Sequence, residues 1–198
     1  MGSAGKTSAE LPCRRCAGAL GRSCCQPGPR ERLATLTATD VERIRGATGL
    51  RRERFVDEEP FGPEEIRAYQ ALRPAWTGYF DHTTVRWGLK AKHGACVLLG
   101  PRGCTLEPES RPTACLLYPF EPTERGWGLA VERSGSVAEA RASGEPRCLA
   151  VEEAHGRGAL LRTFRIDVQT LTALAKRLRE EVRAHPHPRA PVKGTSVR

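Results

Sequence analysis

Cys13-Arg14-Arg15-Cys16-Ala17-Gly18-Ala19-Leu20-Gly21-Arg22-Ser23-Cys24-Cys25 is the stretch on which the reading of this chain turns. Two residues separate the first pair of cysteines, seven lie between Cys16 and Cys24, and the last two are adjacent. Two-residue spacing lets both sulfurs of a knuckle turn toward one metal. Adjacent side chains diverge in most backbone conformations, so Cys24 and Cys25 are expected to serve two centres rather than one. Gly18 and Gly21 lie inside the stretch and Gln26-Pro27-Gly28-Pro29 follows it, a composition that predicts a loop wrapped on metal with little regular structure. Further along come Cys96, Cys104, Cys115 and Cys148, which complete a set of eight candidate metal ligands.

An even number of cysteines also suits a disulfide framework. The compartment argues for metal. Met1-Gly2-Ser3-Ala4-Gly5-Lys6 has no apolar stretch of the kind a secretion signal needs, and no run approaches a membrane span. The expected setting is therefore a reducing cytoplasm, where thiols stay free. A chain of 198 residues suits one domain. Its 39% apolar content, with 20 Gly and 15 Pro, is lean and loop-rich, which predicts a core partly replaced by metal cross-links. The formal charge of +9 follows from 32 Lys and Arg against 23 Asp and Glu. Two four-thiolate centres at about −2 each would lower it to about +5. The basic residues are scattered apart from Arg51-Arg52-Glu53-Arg54 and the tail, and no aromatic-rich basic motif accompanies them. Nucleic acid is thus a weakly supported partner.

In chain order, residues 1–11 are small and polar and are expected to be disordered. Thr37 followed by Asp40 resembles a capping box, Val41 and Ile44 begin an apolar face, and Gly49 is a stop, which predicts a helix over 37–48. Pro63-Glu64-Glu65 starts a second helix with Ile66, Tyr69 and Leu72 on one face, ended by Pro74. Val85, Trp87 and Leu89 alternate as in a strand, and Cys96-Val97-Leu98-Leu99 reads as another. A hairpin near His93-Gly94 would return Cys96 to the core. Gly100-Pro101-Arg102-Gly103 is a turn delivering Cys104, and Ser110 is the expected cap of a short helical segment over 111–117. A strand over 127–132 comes next, then a Gly, Ser and Ala-rich loop leading to Cys148. Leu171, Leu174, Leu178 and Val182 form the stripe of an amphipathic helix over roughly 166–184. The fold expected is α+β: one irregular metal-stapled domain over 12–184, with short helices, a small antiparallel sheet and a C-terminal amphipathic helix, followed by a disordered basic tail over 185–198.

Taken together, the paired cysteines, the Cys-Cys pair, the Leu-Thr-x-x-Asp helix start at Leu36–Asp40, and Arg111-Pro112-x-x-Cys115-x-x-Tyr118-Pro119-Phe120 resemble the YkgJ-like cysteine-cluster proteins, described as zinc- or iron-chelating domains. The likeness covers about residues 13–120, with Cys148 a further ligand. The seven-residue gap before Cys24 is longer than the one typical of that family. The resemblance extends to flagellin lysine methylases, which carry a similar cysteine set with an iron–sulfur cluster, and so implies a protein-modifying role; a cysteine-ligated cluster would equally serve redox chemistry, in either case beside an unidentified protein or redox partner.

Zinc and iron–sulfur both accept all-thiolate ligation. Structural zinc usually shows two paired knuckles per site, whereas here only Cys13 and Cys16 form such a pair and the others arrive singly. Scattered ligands favour an iron–sulfur cluster, with a zinc-stapled binding domain as the alternative. Arg111 and Tyr118 are the candidate cofactor-contacting residues. The guanidinium would donate to thiolate or sulfide, against the plainer reading of a salt bridge to Glu107 or Glu109. Tyr118, with Phe120, would form an apolar lid. His93 is an auxiliary candidate ligand, and His82 a weaker one. No glycine-rich phosphate loop or nucleotide fingerprint is present, and the three-cysteine spacing of radical S-adenosylmethionine enzymes is absent, so catalysis stays open.

Overall fold

The computed structural model describes residues 12–20, 23–26, 33–72, 74–81, 84–130 and 148–184. The stretches over 1–11 and 185–198, the loop leading to Cys148, and His82 lie outside them. The architecture is α+β: seven helices and four two-stranded antiparallel sheets among the described residues.

The cysteine stretch corrects the expectation of a loop. Residues Pro12–Leu20 form a helix, α1. Pro12 suits the first helical position because its missing N–H would be unsatisfied there anyway, and Arg, Ala and Leu outweigh one internal Gly. Cys13 and Cys16 are thus one helical turn apart and share a face.

Helix α2, Ala38–Thr48, forms where its signals placed it. Thr37 and Asp40 make the reciprocal capping box, and Gly49 ends the helix at φ 67°. The strand β1, Val56–Pro60, pairs antiparallel with β2, Val85–Leu89, from Val56 opposite Leu89 to Pro60 opposite Val85. The acidic sequence of β1 gave no strand signal; cationic neighbours hold it, with Arg86 3.3 Å from Glu59 and Arg52 paired to Glu58. The segment around Thr35 runs along the other side of β2, where Leu36 N–H donates to the Trp87 carbonyl at 2.9 Å. Helix α3, Pro63–Leu72, lies between the two strands in sequence.

Three hairpins follow. β3, Ala91–Lys92, turns through His93 and Gly94, both at positive φ, into β4, Ala95–Cys96. β5, Leu99–Gly100, turns into β6, Gly103–Cys104. Positions 96–99 are therefore two short strands with a turn between them, not one. Helix α4, Thr113–Leu117, leads through a cis Tyr118–Pro119 peptide to β7, Phe120–Thr123, paired with β8, Gly126–Leu129. Two short helices without a sequence signal, α5 over Leu149–Glu153 and α6 over Arg157–Phe164, precede α7, Val168–Ala184. Along α7, Leu171, Leu178 and Val182 are buried as the stripe predicts, joined by Ala175, with Leu174 partly buried.

Apolar packing forms two clusters. The larger gathers Phe61, Trp76, Phe80, Leu117, Leu160 and the buried face of α7, with Phe61 and Phe80 edge-to-face at 5.2 Å. The smaller gathers Leu36, Ile44, Phe55, Leu89, Leu98 and Leu106. Cys148 belongs to the larger cluster and Cys96 to the smaller, with Cys25, Cys104 and Cys115 packed against the smaller.

Candidate metal centre

Each thiol is set in place by a separate local device. Cys13 and Cys16 ride on α1, and that helix is seated against β6 so closely that a Cβ on Gly103 would stand 2.4 Å from the Cys13 carbonyl and from the Arg14 Cα. The two arginines between these cysteines reach out to both flanking segments: Arg14 to Glu107 at 2.7 Å, just past Cys104, and Arg15 to Glu153 at 2.8 Å, just past Cys148. Exposed pairs of this kind stabilise by about 0.2–1 kcal/mol, so their role is register more than strength. Cys24 and Cys25 lie in a turn in which Gln26 N–H donates to the Ser23 carbonyl at 2.7 Å. The Cys25 carbonyl accepts from Cys96 N–H, also at 2.7 Å, which lays the turn alongside β4.

Backbone amides point at the sulfurs of the single downstream cysteines. Leu98 N–H donates to Cys96 Sγ at 3.5 Å, and Leu106 N–H to Cys104 Sγ. Cys148 Sγ accepts from Val151 and Ala150 at the start of α5, while Leu149 N–H donates to Cys16 Sγ at 3.5 Å. A donor two residues after the cysteine recurs at Cys96, Cys104 and Cys148. A neutral thiol is a weak acceptor, whereas a metal-bound thiolate gains from such bonds.

Cys115, on α4, is fixed from a distance. The cap of α4 is not Ser110, which ends a preceding 3-10 turn, but Asp40 of α2: its Oδ1 accepts from Thr113 N–H at 3.0 Å and from the Thr113 hydroxyl at 3.2 Å. Asp40 Oδ2 meanwhile accepts from Thr37 N–H at 3.0 Å. Arg43 pairs with the same carboxylate, and Arg177 of α7 donates to the Thr113 hydroxyl at 2.9 Å. Thr37 Oγ1 donates to Glu181 at 2.6 Å.

All eight cysteines are unbridged. Burial raises most of the thiols above their ordinary range, Cys96 and Cys148 to about 12, and Cys24 and Cys115 well above it. For Cys24 the largest cause is its hydrogen bond to Cys25. Cys25 is the exception. Its thiol is lowered, first by that hydrogen bond and then by the Arg111 charge. A charge on Cys25 opposes ionisation of Cys13, Cys16, Cys24, Cys96, Cys104 and Cys115. The two adjacent side chains therefore do not diverge as expected; they touch, at the middle of the thiol group.

Arg111 is buried beside them. Its Nε donates to the Leu106 carbonyl at 3.1 Å, it also bonds Cys104, and its Nη2 is enclosed with no hydrogen-bond partner. Glu107, one of its proposed salt-bridge partners, is bonded to Arg14 instead. Tyr118 packs against the larger apolar cluster, to which Cys148 also belongs. His93 is exposed on the tip of the β3–β4 hairpin. Sequence reading missed the amides of Leu98, Leu106 and Leu149, Gly103, and the reach of Asp40 to Thr113; only the capping-box spacing signalled any of these.

The donor set is all soft sulfur, suited to zinc or iron–sulfur. Yet among the described residues no three Cys, His, Asp or Glu side chains are placed to hold a metal ion. A lone zinc with Zn–S bonds of about 2.3 Å needs its sulfurs within about 4 Å of one another. Ligands of a polynuclear cluster each bind a different iron and stand further apart. Compared with family models, with curated proteins and with solved structures, the chain gives no match. Among the described residues no helix is long and apolar enough to cross a membrane.

Proposed function

We propose that this chain is a thiolate-ligated metalloprotein whose cysteines hold an iron–sulfur cluster, acting in electron transfer or in support of protein modification. The observation that carries the reading is the recurrent backbone N–H donation onto sulfur at Cys96, Cys104 and Cys148, with Cys16 served from the start of α5. Such bonds stabilise thiolate over thiol and tune the potential of a cluster. The orphaned Arg111 Nη2 supports the same reading, because a buried cationic N–H without an acceptor costs about 1–3 kcal/mol or more unless an anion completes it. The resemblance of the motifs to YkgJ-like proteins points the same way, and a reducing cytoplasm and an unidentified redox or substrate protein belong to this proposal.

The cluster itself would supply the redox chemistry; the protein supplies thiolates, amide donors and the Arg111 charge. The test is anaerobic purification followed by metal and sulfide analysis and a visible spectrum. Iron with sulfide and absorption near 400 nm (about, for sulfide-to-iron charge transfer) supports the reading. Stoichiometric zinc with no colour would replace it with a zinc-stapled binding domain.

A further inference from the structure

We propose that the thiols divide into two neighbouring centres, one held by Cys25, Cys96, Cys104 and Cys115, the other by Cys13, Cys16, Cys148 and Cys24. The inference rests on the metal reading above and assigns its ligands.

Packing separates the two sets. Cys96 is buried within the smaller apolar cluster, and Cys25, Cys104 and Cys115 pack against that same cluster, whereas Cys148 lies within the larger one. The backbone gives the same division. Cys96 N–H is bonded to the Cys25 carbonyl at 2.7 Å, and Thr105 N–H, next to Cys104, to the Leu98 carbonyl at 2.9 Å, so the turn carrying Cys25 lies against the strand end carrying Cys96, and the segment after Cys104 is tied to the one after Cys96. In the second set, Cys16 Sγ accepts from the residue after Cys148 at 3.5 Å, and Cys13 is one helical turn from Cys16.

Cys24 is hydrogen-bonded to Cys25. With four sulfurs already in the first set, its thiol is the one left to complete the second. The Cys24–Cys25 peptide is then the link between the centres. Arg111 lies at the same junction, its charge acting on Cys13 of one set and on Cys25 and Cys104 of the other.

The full chain is loaded anaerobically with ferrous iron and sulfide, and separately with zinc, and metal per chain is counted in the wild type, Cys96→Ser, Cys148→Ser and the double variant. Each single variant is expected to lose about half of the metal and the double variant all of it, since Ser is a poor ligand at neutral pH. Cys25→Ser should match Cys96→Ser, and Cys24→Ser should match Cys148→Ser. Equal losses in both single variants with no further loss in the double would overturn the division. Alkylation of the loaded protein by iodoacetamide, mapped peptide by peptide, guards against misfolding: in Cys96→Ser the thiols of Cys25, Cys104 and Cys115 should become reactive while Cys13, Cys16 and Cys148 stay protected. Exposure of both sets together overturns the division while leaving the metal reading intact. A wild-type chain that takes up neither iron with sulfide nor zinc overturns both.

Discussion

Gly103 shows how closely a single residue can govern the thiols. Its φ of 88° is one that residues with a side chain rarely adopt, and a Cβ there would stand 2.4 Å from the backbone of Cys13 and Arg14. Backbone at both points cannot swing away as a side chain would. Gly103→Ala should therefore cost at least about 2 kcal/mol, combining backbone strain with forced separation of α1 from β6. The urea midpoint measures it, and a loss under about 0.5 kcal/mol, the range of an ordinary surface change, would show that α1 is not seated there. The thiols themselves carry a pH signature. Cys96 and Cys148 titrate at about 12 in the folded metal-free chain, against an ordinary 9.0. Between those values the unfolded chain has released protons that the folded chain still holds, so stability falls as pH rises through that window. Thermal melts of metal-free protein should drop steadily above pH 9 (about the unfolded thiol value). Cys96→Ala with Cys148→Ala should flatten that slope; an unchanged slope would place the alkaline loss elsewhere.

Among the elements, α2 and α4 are joined through one carboxylate. Asp40 caps its own helix through Thr37 and caps α4 through Thr113, with Arg43 paired to it and Arg177 of α7 bonded to the same threonine. Asp40→Asn keeps the shape but removes the charge that the buried network is built around, and should cost about 3 kcal/mol. It should also speed alkylation of Cys115, whose helix it starts. Equal melting temperatures and equal Cys115 reactivity in the two proteins would exclude this link. The first half of the link was legible in the sequence and the second was not, for one reason. A capping box is a local device whose partners lie three residues apart, whereas the bond to Thr113 spans the fold and leaves no spacing to read. The same contrast runs through the rest. α2, α3, α7 and the β3–β4 turn carry their own caps, prolines or glycines and were readable. α1 was hidden by the glycines around it, and β1 by acidic residues that become a strand only because β2 and its arginines lie alongside. α5 and α6 are too short to show a period. Of the site, the cysteines and Arg111 stood out as residue types; their amide donors did not, because a backbone N–H has no signature in sequence.

For the whole molecule, Cys148 belongs to one apolar cluster and Cys96 to the other, and each cluster alone is small. What else joins them is polar: the Asp40–Thr113–Arg177 network, Thr37 bonded to Glu181, and the ion pairs that hold α1 between β6 and α5. Metal ligation in structural sites contributes on the order of 10 kcal/mol, comparable to the 5–15 kcal/mol (about) that a whole domain keeps. On the proposed reading, removing the metal should therefore lower the melting temperature and also uncouple the two clusters. The tryptophans allow both to be watched. Trp76 is buried in the larger cluster and Trp87 packs against the smaller one, stacked under Arg52 at 4.4 Å. Variants with one of these tryptophans as sole reporter, and Phe at the other two positions, would follow each cluster separately during urea unfolding. Loaded protein should give coincident transitions from both reporters, and stripped protein two transitions, with the Trp87 signal lost first because the smaller cluster buries less apolar surface. Coincident transitions at an unchanged midpoint after stripping would mean that apolar packing and the polar network alone join the clusters.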